Sequence, residues 1–265
     1  VPLTRAMAAQ ASLPLSRLVV LEALAVNAGS ALTPIGNPQN LFLWHRSGTG
    51  IAEFTAMMLP TVAAMLACLW AAVRLLVPDQ PIRVRADAPH GETSPALLWL
   101  AVALLAAFVV ALDRQRLVVG LAIVFATLLC RAPRVLRGID WALLAIIALM
   151  FVDLRQLADV PAVDQLMRSL PIDHGIRAYL AAIATSQLIS NVPAAILLDR
   201  YVHDLPALAA GVSVGGFGSV VGSLANLIAL RLARLPHGLR DYHRVAVPFL
   251  IVCAAVVAAV RAVAW

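Results

Sequence analysis

The sequence contains no lysine, few charged residues and few aromatic residues. Charged residues make up 13% of its 265 residues and aromatic residues 6%, whereas 62% are hydrophobic. A soluble domain carries about 25% charged residues, because polar side chains must cover its surface. The chain has too little polar surface for that, which excludes a soluble enzyme and a disordered chain. The composition instead predicts an all-α fold, a polytopic helical membrane protein.

The three cysteines and the basic residues exclude further classes of protein. Cys68, Cys130 and Cys253 all lie in apolar runs, where cysteine packs as a small hydrophobic residue, so neither a disulfide framework nor a zinc site is indicated. All 20 basic residues are arginine, and the net charge is +6. The arginines separate apolar runs instead of lining one face, which is typical of membrane topology and not of nucleic-acid binding. The predicted surroundings are a lipid bilayer, with no nucleic acid as partner.

Seven apolar runs reach or approach the roughly 20 residues that a membrane span needs. They are residues 18–44, 54–77, 96–112, 117–130, 139–152, 206–230 and 245–260. The runs 117–130 and 139–152 are short, because 14 residues cover only about 21 Å of helix. Flanking arginines that reach to the membrane surface would make up the difference.

A further apolar stretch, residues 176–202, carries Ser190, Asn191 and Pro193 at its middle. It is either a straight span with polar groups at mid-depth or a re-entrant hairpin with Ser190-Asn191 at its tip. The hairpin places 12 of the arginines on one side of the membrane, with the loops 78–95, 131–138 and 231–244. This distribution obeys the positive-inside rule better, so we predict that these loops are cytoplasmic and that the hairpin enters from outside.

An internal repeat relates two polar segments, GSALTPIGNPQNLF from Gly29 and GGFGSVVGSLANLI from Gly215. At a shift of 186 residues, Thr33, Gly36, Asn37 and Asn40 align with Ser219, Gly222, Ser223 and Asn226. Five crossings precede the hairpin, which adds none, so the two segments run in opposite directions. Inverted repeats with broken helices at their interface are typical of secondary transporters, which bind substrate and ions near the midplane.

The polar segment from Thr33 to Asn40 is incompatible with a lipid-facing helix. Two prolines, a glycine, two asparagines and a glutamine fall within eight residues. Unwinding exposes carbonyl and amide groups, which suit a small cation together with an anionic group. For the repeat glycines Gly29, Gly211, Gly215 and Gly218, we expect only close helix packing.

The segments TPIGNPQN, SQLISNVPAAILL and GGFGSVVGSLANLIALRL resemble the ion-transporter superfamily. It includes citrate transporter-like proteins, arsenite permease-like proteins and divalent anion–sodium symporters. The resemblance covers nearly all of the chain from Leu18 onward and implies a bacterial inner-membrane transporter with two inverted halves, each with a hairpin and a broken helix.

The resemblance also implies a set of substrate- and ion-binding residues. They are Thr33, Gly36, Asn37, Pro38, Asn40, Ser190, Asn191, Ser219, Gly222, Ser223 and Asn226. Sodium would bind at the same residues, and no other metal and no cofactor is expected. Val192 stands where the symporters have threonine, which removes a hydroxyl ligand and favours the arsenite permease-like branch.

Two repeats and a linker make up the predicted organisation. Residues 1–77 end the first repeat, with the broken helix 18–44 and the span 54–77, while its hairpin is missing. Residues 78–95 are a cytoplasmic linker. Residues 96–265 form the second repeat, with the spans 96–112, 117–130 and 139–152, the hairpin 176–202, the broken helix 206–230 and the span 245–260. Val1 to Thr4 resemble the residues just after the tip of a first hairpin, so the chain is expected to be the C-terminal portion of a longer transporter.

The predicted function is secondary active transport of a small anion, coupled to sodium or protons. Citrate-like or dicarboxylate-like anions and inorganic oxyanions such as arsenite are the candidate substrates, and the resemblance implies an elevator motion. The alternatives are a non-transporting membrane scaffold and, less well supported, a membrane-embedded enzyme. The spans lack the converging acid–base or metal-binding residues that an enzyme needs. A homodimer is the predicted assembly.

Overall fold

A computed structural model describes residues 14–78 and 94–262, together with Val1, Thr4 and Ala8. This part of the chain is helical and contains no strand. The helices are α1 (Leu15–Ser30), α2 (Pro38–Ser47), α3 (Ile51–Leu76), α4 (Pro95–Asp113), α5 (Leu117–Arg131), α6 (Pro133–Arg137), α7 (Trp141–Ala158), α8 (Pro161–Ser169), α9 (Gly175–Ile189), α10 (Asn191–Leu198), α11 (Leu205–Val214), α12 (Leu224–Ala233) and α13 (Gly238–Arg261). Short 3₁₀ turns, Pro34–Gly36 and Val220–Gly222, precede α2 and α12.

Three helices of the described residues are long and apolar enough to cross a membrane. They are α3, α4 and α13, with 26, 19 and 24 residues. The shorter α5 has 15 residues, in agreement with the short predicted run. The predicted all-α polytopic membrane fold is confirmed.

The chain divides into two compact units. Residues 85–149 form one unit, in which α4 and α5 pack together. A methyl group on Gly120 would lie 2.8 Å from the Cβ atom of Ala111, so glycine permits this close approach of the two helices. Residues 1–84 and 150–265 form the other unit, which holds both broken helices and the hairpin. The predicted repeat boundaries stay a prediction, as does the cytoplasmic linker, of which residues 79–93 lie outside the described part.

The two broken helices have the same local structure at the shift of 186 residues found in the sequence. The first 3₁₀ turn and α2 begin and end 186 residues before the second 3₁₀ turn and α12, with no insertion between them. Asn37 caps α2, and its counterpart Ser223 caps α12. Each helix is followed by a residue in the left-handed conformation, Gly48 at φ 69° and Arg234 at φ 50°. The repeat is therefore present in the structure as well as in the sequence.

The stretch that contains Ser190 is a helical hairpin and not a straight span. Between α9 and α10, Ser190 adopts φ 76° and ψ 155°, which ends the first helix and redirects the chain. At the other end, the backbone N–H of His203 donates to the carbonyl of Asp173 at 3.0 Å. The N–H of Gly175 donates to Oδ2 of Asp204 at 2.9 Å. These bonds join the start and the end of the hairpin, so the chain returns to the side from which it started.

The two broken helices pack against each other, the first half of each against the second half of the other. Helix α1 packs against α12, and its counterpart α11 packs against α2, while α3 and its counterpart α13 pack against each other. The first half of each broken helix thus contacts the second half of the other. This exchange is what a two-fold axis between the repeats produces.

Gly211 and Gly215 lie where helices pack closely, as predicted, whereas Gly218 lies in the unwound segment after α11, at φ 85°. A methyl group on Gly211 or Gly215 would lie within 2.6 Å of α9 atoms, and one on Gly218 would lie 2.5 Å from Leu250. The prediction is wrong for Gly29, which has nothing within 4 Å of an added methyl group. Gly29 is exposed, and no described atom lies close enough to require a glycine there.

Substituting the glycine of the first break provides a test of its geometry. A methyl group on Gly36 would lie 2.0 Å from the carbonyl oxygen of Ser30, which no rearrangement of a side chain relieves. We expect Gly36→Ala to lower the free energy of unfolding by about 3 kcal/mol or more. Gly29→Ala is the matched control and should stabilise α1 slightly. Thermal unfolding of both purified variants checks this, and equal midpoints would contradict the geometry of the break.

Candidate functional site

The first break is held together by two asparagine side chains. Oδ1 of Asn37 accepts from the backbone N–H of Asn40 at 2.8 Å, and Nδ2 of Asn37 donates to the carbonyl of Ser30 at 3.1 Å. Nδ2 of Asn40 donates to the carbonyls of Ala31 at 2.8 Å and Thr33 at 3.5 Å. These amides replace helix hydrogen bonds that the unwound backbone has lost, as burial requires. Pro38 begins α2, where a missing N–H costs nothing.

The second break repeats this arrangement with serine in place of one asparagine. Nδ2 of Asn226 donates to the carbonyls of Gly216 at 2.9 Å and Ser219 at 3.3 Å. The hydroxyl of Ser223, the counterpart of Asn37, accepts from the N–H of Ala225 at 3.3 Å. The hydroxyl of Ser219 accepts from the N–H of Gly222 at 3.0 Å. A methyl group on Gly222 would lie 2.7 Å from a backbone carbonyl, so this glycine, like Gly36, lets the unwound chain fold back on itself.

A buried hydrogen bond between Asn27 and Asn226 joins the two broken helices. Nδ2 of Asn27 donates to Oδ1 of Asn226 at 2.8 Å, and both residues are buried. The same Nδ2 also lies 3.1 Å from the carbonyl of Ala23. Asn226 is therefore fully partnered by protein groups, its amide nitrogen within its own break and its oxygen across the repeat.

The hairpin contacts the second break directly. Nε2 of Gln187 donates to the carbonyl of Gly215 at 2.7 Å, and its Oε1 accepts from the N–H of Ser219 at 2.7 Å. One side chain thereby satisfies a carbonyl and an N–H that unwinding has freed. At the hairpin tip, Nδ2 of the buried Asn191 lies 3.1 Å from the position of a methyl group on Gly216. The structure thus brings the tip and the second break together.

Three further residues support the breaks and were not predicted from the sequence. They are Asn27, Gln187 and His243, whose Nε2 accepts from the N–H of Val220 at 3.3 Å. Gln187 lies in the polar middle of the hairpin, one turn before Ser190, and Asn27 is a polar residue in an apolar run. Both positions were visible in the sequence as buried polar groups in need of a partner.

Four buried side-chain atoms of the described residues have no hydrogen-bond partner. They are Oδ1 of Asn40, Nε1 of Trp44, Oγ of Ser213 and the hydroxyl of Tyr242. Buried polar atoms normally have partners, because an unpaired one costs about 1–3 kcal/mol. The oxygen of Asn40 therefore differs from that of Asn226, although the two residues are repeat counterparts.

Neutral groups make up the chemistry of the breaks. The predicted site residues offer amides, hydroxyls and backbone carbonyls, and Ser190 at the hairpin tip is half-buried. The described residues contain no cluster of three or more His, Cys, Asp or Glu side chains that could hold a metal ion. The atoms available to a sodium ion are the carbonyl and hydroxyl oxygens of the breaks, and those available to an anion are the N–H groups.

Ion pairs hold the end of the hairpin to neighbouring elements. Nε of Arg46, in the last turn of α2, lies 2.9 Å from Oδ2 of Asp199. The next residue, Arg200, pairs with Asp159. The hydrogen bond from Arg168 holds the pKa of Asp164 below its usual range. Since the folded-state pKa of Asp164 is lowered, its stabilising contribution is present near neutral pH and is lost as the pH falls through that lowered value.

Repeated broken helices that enclose polar groups inside a polytopic membrane bundle define a membrane transport protein. The sequence profile of a family described as "Citrate transporter" (CitMHS) matches residues 1–214. The chain is 40% identical over 251 residues to "Inner membrane protein YbiR" of Escherichia coli (strain K12), a match that covers 95% of this chain and 68% of the relative. It is 30% identical over 236 residues to "Uncharacterized transporter MJ0456" of Methanocaldococcus jannaschii, covering 88% of this chain and 64% of the relative.

The chain belongs to the citrate transporter family. The profile covers the first broken helix, the hairpin and the first half of the second broken helix. The predicted resemblance to the ion-transporter superfamily and the prediction of a membrane transporter are confirmed.

Proposed function

We propose that this protein carries out secondary active transport of a small anion, with the solute bound between the two breaks and the hairpin tip. The observation that supports this most is the junction of three polar elements: Asn27 bonds to Asn226 across the repeats, and Gln187 of the hairpin bonds to Gly215 and Ser219. Three separate pieces of chain are thereby held around unwound backbone, the setting in which transporters bind solutes.

An anion is the solute that these helix ends favour. Helices α2, α10 and α12 all begin at the breaks or at the hairpin tip. The N-terminal end of a helix carries a partial positive charge and unpaired N–H groups, which stabilise negative charge. Citrate-like or dicarboxylate-like anions and inorganic oxyanions such as arsenite are the proposed substrates. We propose no catalytic role for the site.

Sodium or protons would drive the uptake. The oxygens of the breaks are suitable ligands for sodium, but Val192 at the hairpin tip offers no hydroxyl group. We therefore also propose proton coupling as the alternative to sodium coupling. The experiment below distinguishes them by the gradient that is applied.

The ion pairs of the hairpin support a concerted motion. Arg46 joins α2 to the hairpin through Asp199, and Val192 and Ile196 of α10 pack against Phe42 of α2. The first broken helix and the hairpin are thus linked by both charge and apolar contact. We propose that they move together as an elevator-type unit. The bacterial inner membrane is the proposed location, as for the relative YbiR, and a homodimer is the proposed assembly.

Uptake by the full-length protein in proteoliposomes tests this function. Citrate, succinate, sulfate and arsenite would be offered under a sodium gradient, a proton gradient or neither. We expect one of these anions to accumulate under one gradient and to equilibrate without it. Protein-free liposomes are the control. No accumulation of any of the four by correctly folded protein would contradict the proposal.

A further inference from the structure

The first turn of α1 and the last turn of α3 meet at one end of the bundle and enclose a cavity. The two helices pack against each other, and the guanidinium of Arg17 donates to the carbonyl of Leu76 at 3.1 Å. The cavity measures about 760 Å³. It is lined by these two helix ends and the residues that flank them: Pro14, Ser16, Arg17, Arg74, Leu75, Leu76, Val77 and Pro78.

The charge of this cavity is positive. Two of the described residues that line it are arginines, and none of them is acidic. Both arginines are exposed, and no ion pair within the described part of the chain involves either of them. Two guanidinium groups that line one cavity repel each other. An anion between Arg17 and Arg74 would relieve this repulsion, and the N–H groups of guanidinium match the oxygens of phosphate.

The cavity lies at the end of a membrane-crossing helix. Helix α3 has 26 residues and is apolar enough to cross a membrane, and Arg74 lies in its last turn. Trp70 lies one turn before Arg74, roughly 9 Å from the end of the helix. Tryptophan is enriched at this depth, near the lipid headgroups. The positive-inside rule predicts that this end of α3 is cytoplasmic.

An exposed apolar strip runs along α3 from Arg74 toward the middle of the helix. Leu66, Trp70 and Arg74 follow one another at a spacing of four residues, so they share one face of the helix. Leu66 is 46% exposed and Trp70 is 68% exposed. An apolar strip beside a basic cavity matches the acyl chain and the headgroup of a lipid. A soluble anion would make no use of the strip.

We propose that this cavity binds the phosphate group of an anionic phospholipid between Arg17 and Arg74, with an acyl chain along Leu66 and Trp70. Basic pockets between transmembrane helices on the cytoplasmic side bind anionic headgroups in this way. Two arginines without a carboxylate favour a lipid of net negative charge, such as phosphatidylglycerol or cardiolipin, over a zwitterionic one. The lipid joins the first half of the first broken helix to α3, and its binding does not depend on transport.

Native mass spectrometry of the detergent-purified, full-length protein tests this site. Phosphatidylglycerol and phosphatidylcholine with identical acyl chains would be offered at equal concentrations. Each arginine near an anionic lipid strengthens binding about fivefold. We therefore expect the parent protein to retain phosphatidylglycerol at least about tenfold better than phosphatidylcholine. Equal retention of the two lipids would overturn the inference.

Substitutions that remove one charge assign the preference to this cavity. Arg74→Gln leaves the bond between Arg17 and Leu76 in place, so it should fold like the parent and retain phosphatidylglycerol about fivefold less well. Arg17→Gln should have a similar effect. Arg134→Gln is the matched control, because Arg134 is exposed on the same predicted side and does not line the cavity. An Arg74→Gln variant that keeps the parent preference would overturn the inference even if Arg17→Gln does not fold.

A second measurement separates a lipid from a soluble phosphate. Inorganic phosphate and glycerol 3-phosphate share the charged group of the lipid but have no acyl chain. We expect phosphatidylglycerol to raise the unfolding temperature of the parent, and neither soluble compound to do so at equal concentration. Trp70→Ala, which shortens the apolar strip, should weaken retention of the lipid although both arginines remain. Equal stabilisation by inorganic phosphate and by phosphatidylglycerol would show that the cavity binds a soluble anion and would overturn the assignment to a lipid.

Discussion

Replacing Asn40 or Asn226 by alanine is expected to abolish solute uptake while leaving membrane insertion intact. Each amide nitrogen holds two backbone carbonyls of its break. Without it these buried carbonyls lose their donors, at a cost of about 1–3 kcal/mol for each. The unwound backbone would then rearrange and the site would be lost, although alanine itself fits.

Uptake into proteoliposomes, normalised to the amount of inserted protein, measures this effect. Thr55→Ala is the matched control, because the Thr55 hydroxyl donates to the carbonyl of Ile51 at 2.8 Å in α3, outside the breaks. We expect that control to transport at a rate close to the parent. Uptake by either asparagine variant within twofold of the parent would show that its amide is not needed for the site.

Replacing Gln187 by leucine is expected to give the largest loss of stability among side chains of the hairpin. Its amide satisfies the carbonyl of Gly215 and the N–H of Ser219 at the same time. Leucine has a similar size but leaves both groups unpaired at about 1–3 kcal/mol each. We therefore expect a loss of about 3 kcal/mol or more in the free energy of unfolding, together with loss of uptake.

The unfolding temperature of the detergent-purified variant checks this expectation. Leu188→Ala is the control next to it, since the Leu188 side chain is 78% exposed. That control should unfold within a few degrees of the parent. If Gln187→Leu unfolds at the same temperature as Leu188→Ala, the hairpin does not support the second break in the way that the structure indicates.

The helices and the hairpin were predictable because apolar runs and the distribution of arginines can be read directly from the sequence. The apolar runs predicted both ends of α3 and α4 to within a few residues, but only the C-terminal end of α13. They could do so because burial in lipid requires an uninterrupted apolar segment. The distribution of arginines favoured a hairpin at Ser190, and the structure has one. The repeat was predictable because both breaks need the same glycine and asparagine.

The partners of the breaks were not predictable from the sequence in the same way. Apolar runs do not show which polar side chain faces which, so Asn27 and Gln187 remained unassigned although both are polar residues in apolar helices. The error at Gly29 has the same origin, because a small residue fits a close contact and an open surface equally well. The position of the neighbouring helix decides between a close contact and an open surface, and that position is known only from the fold.

We propose that the breaks and the hairpin tip form a solute site that opens in turn to each side of the membrane. Labelling Ser190→Cys with an impermeant maleimide tests it, in a full-length protein with Cys68, Cys130 and Cys253 replaced by serine or alanine. Right-side-out and inside-out vesicles would be labelled with and without the transported solute. We expect labelling of position 190 from both sides and protection by solute on each. Labelling from one side only, unaffected by solute, would contradict it.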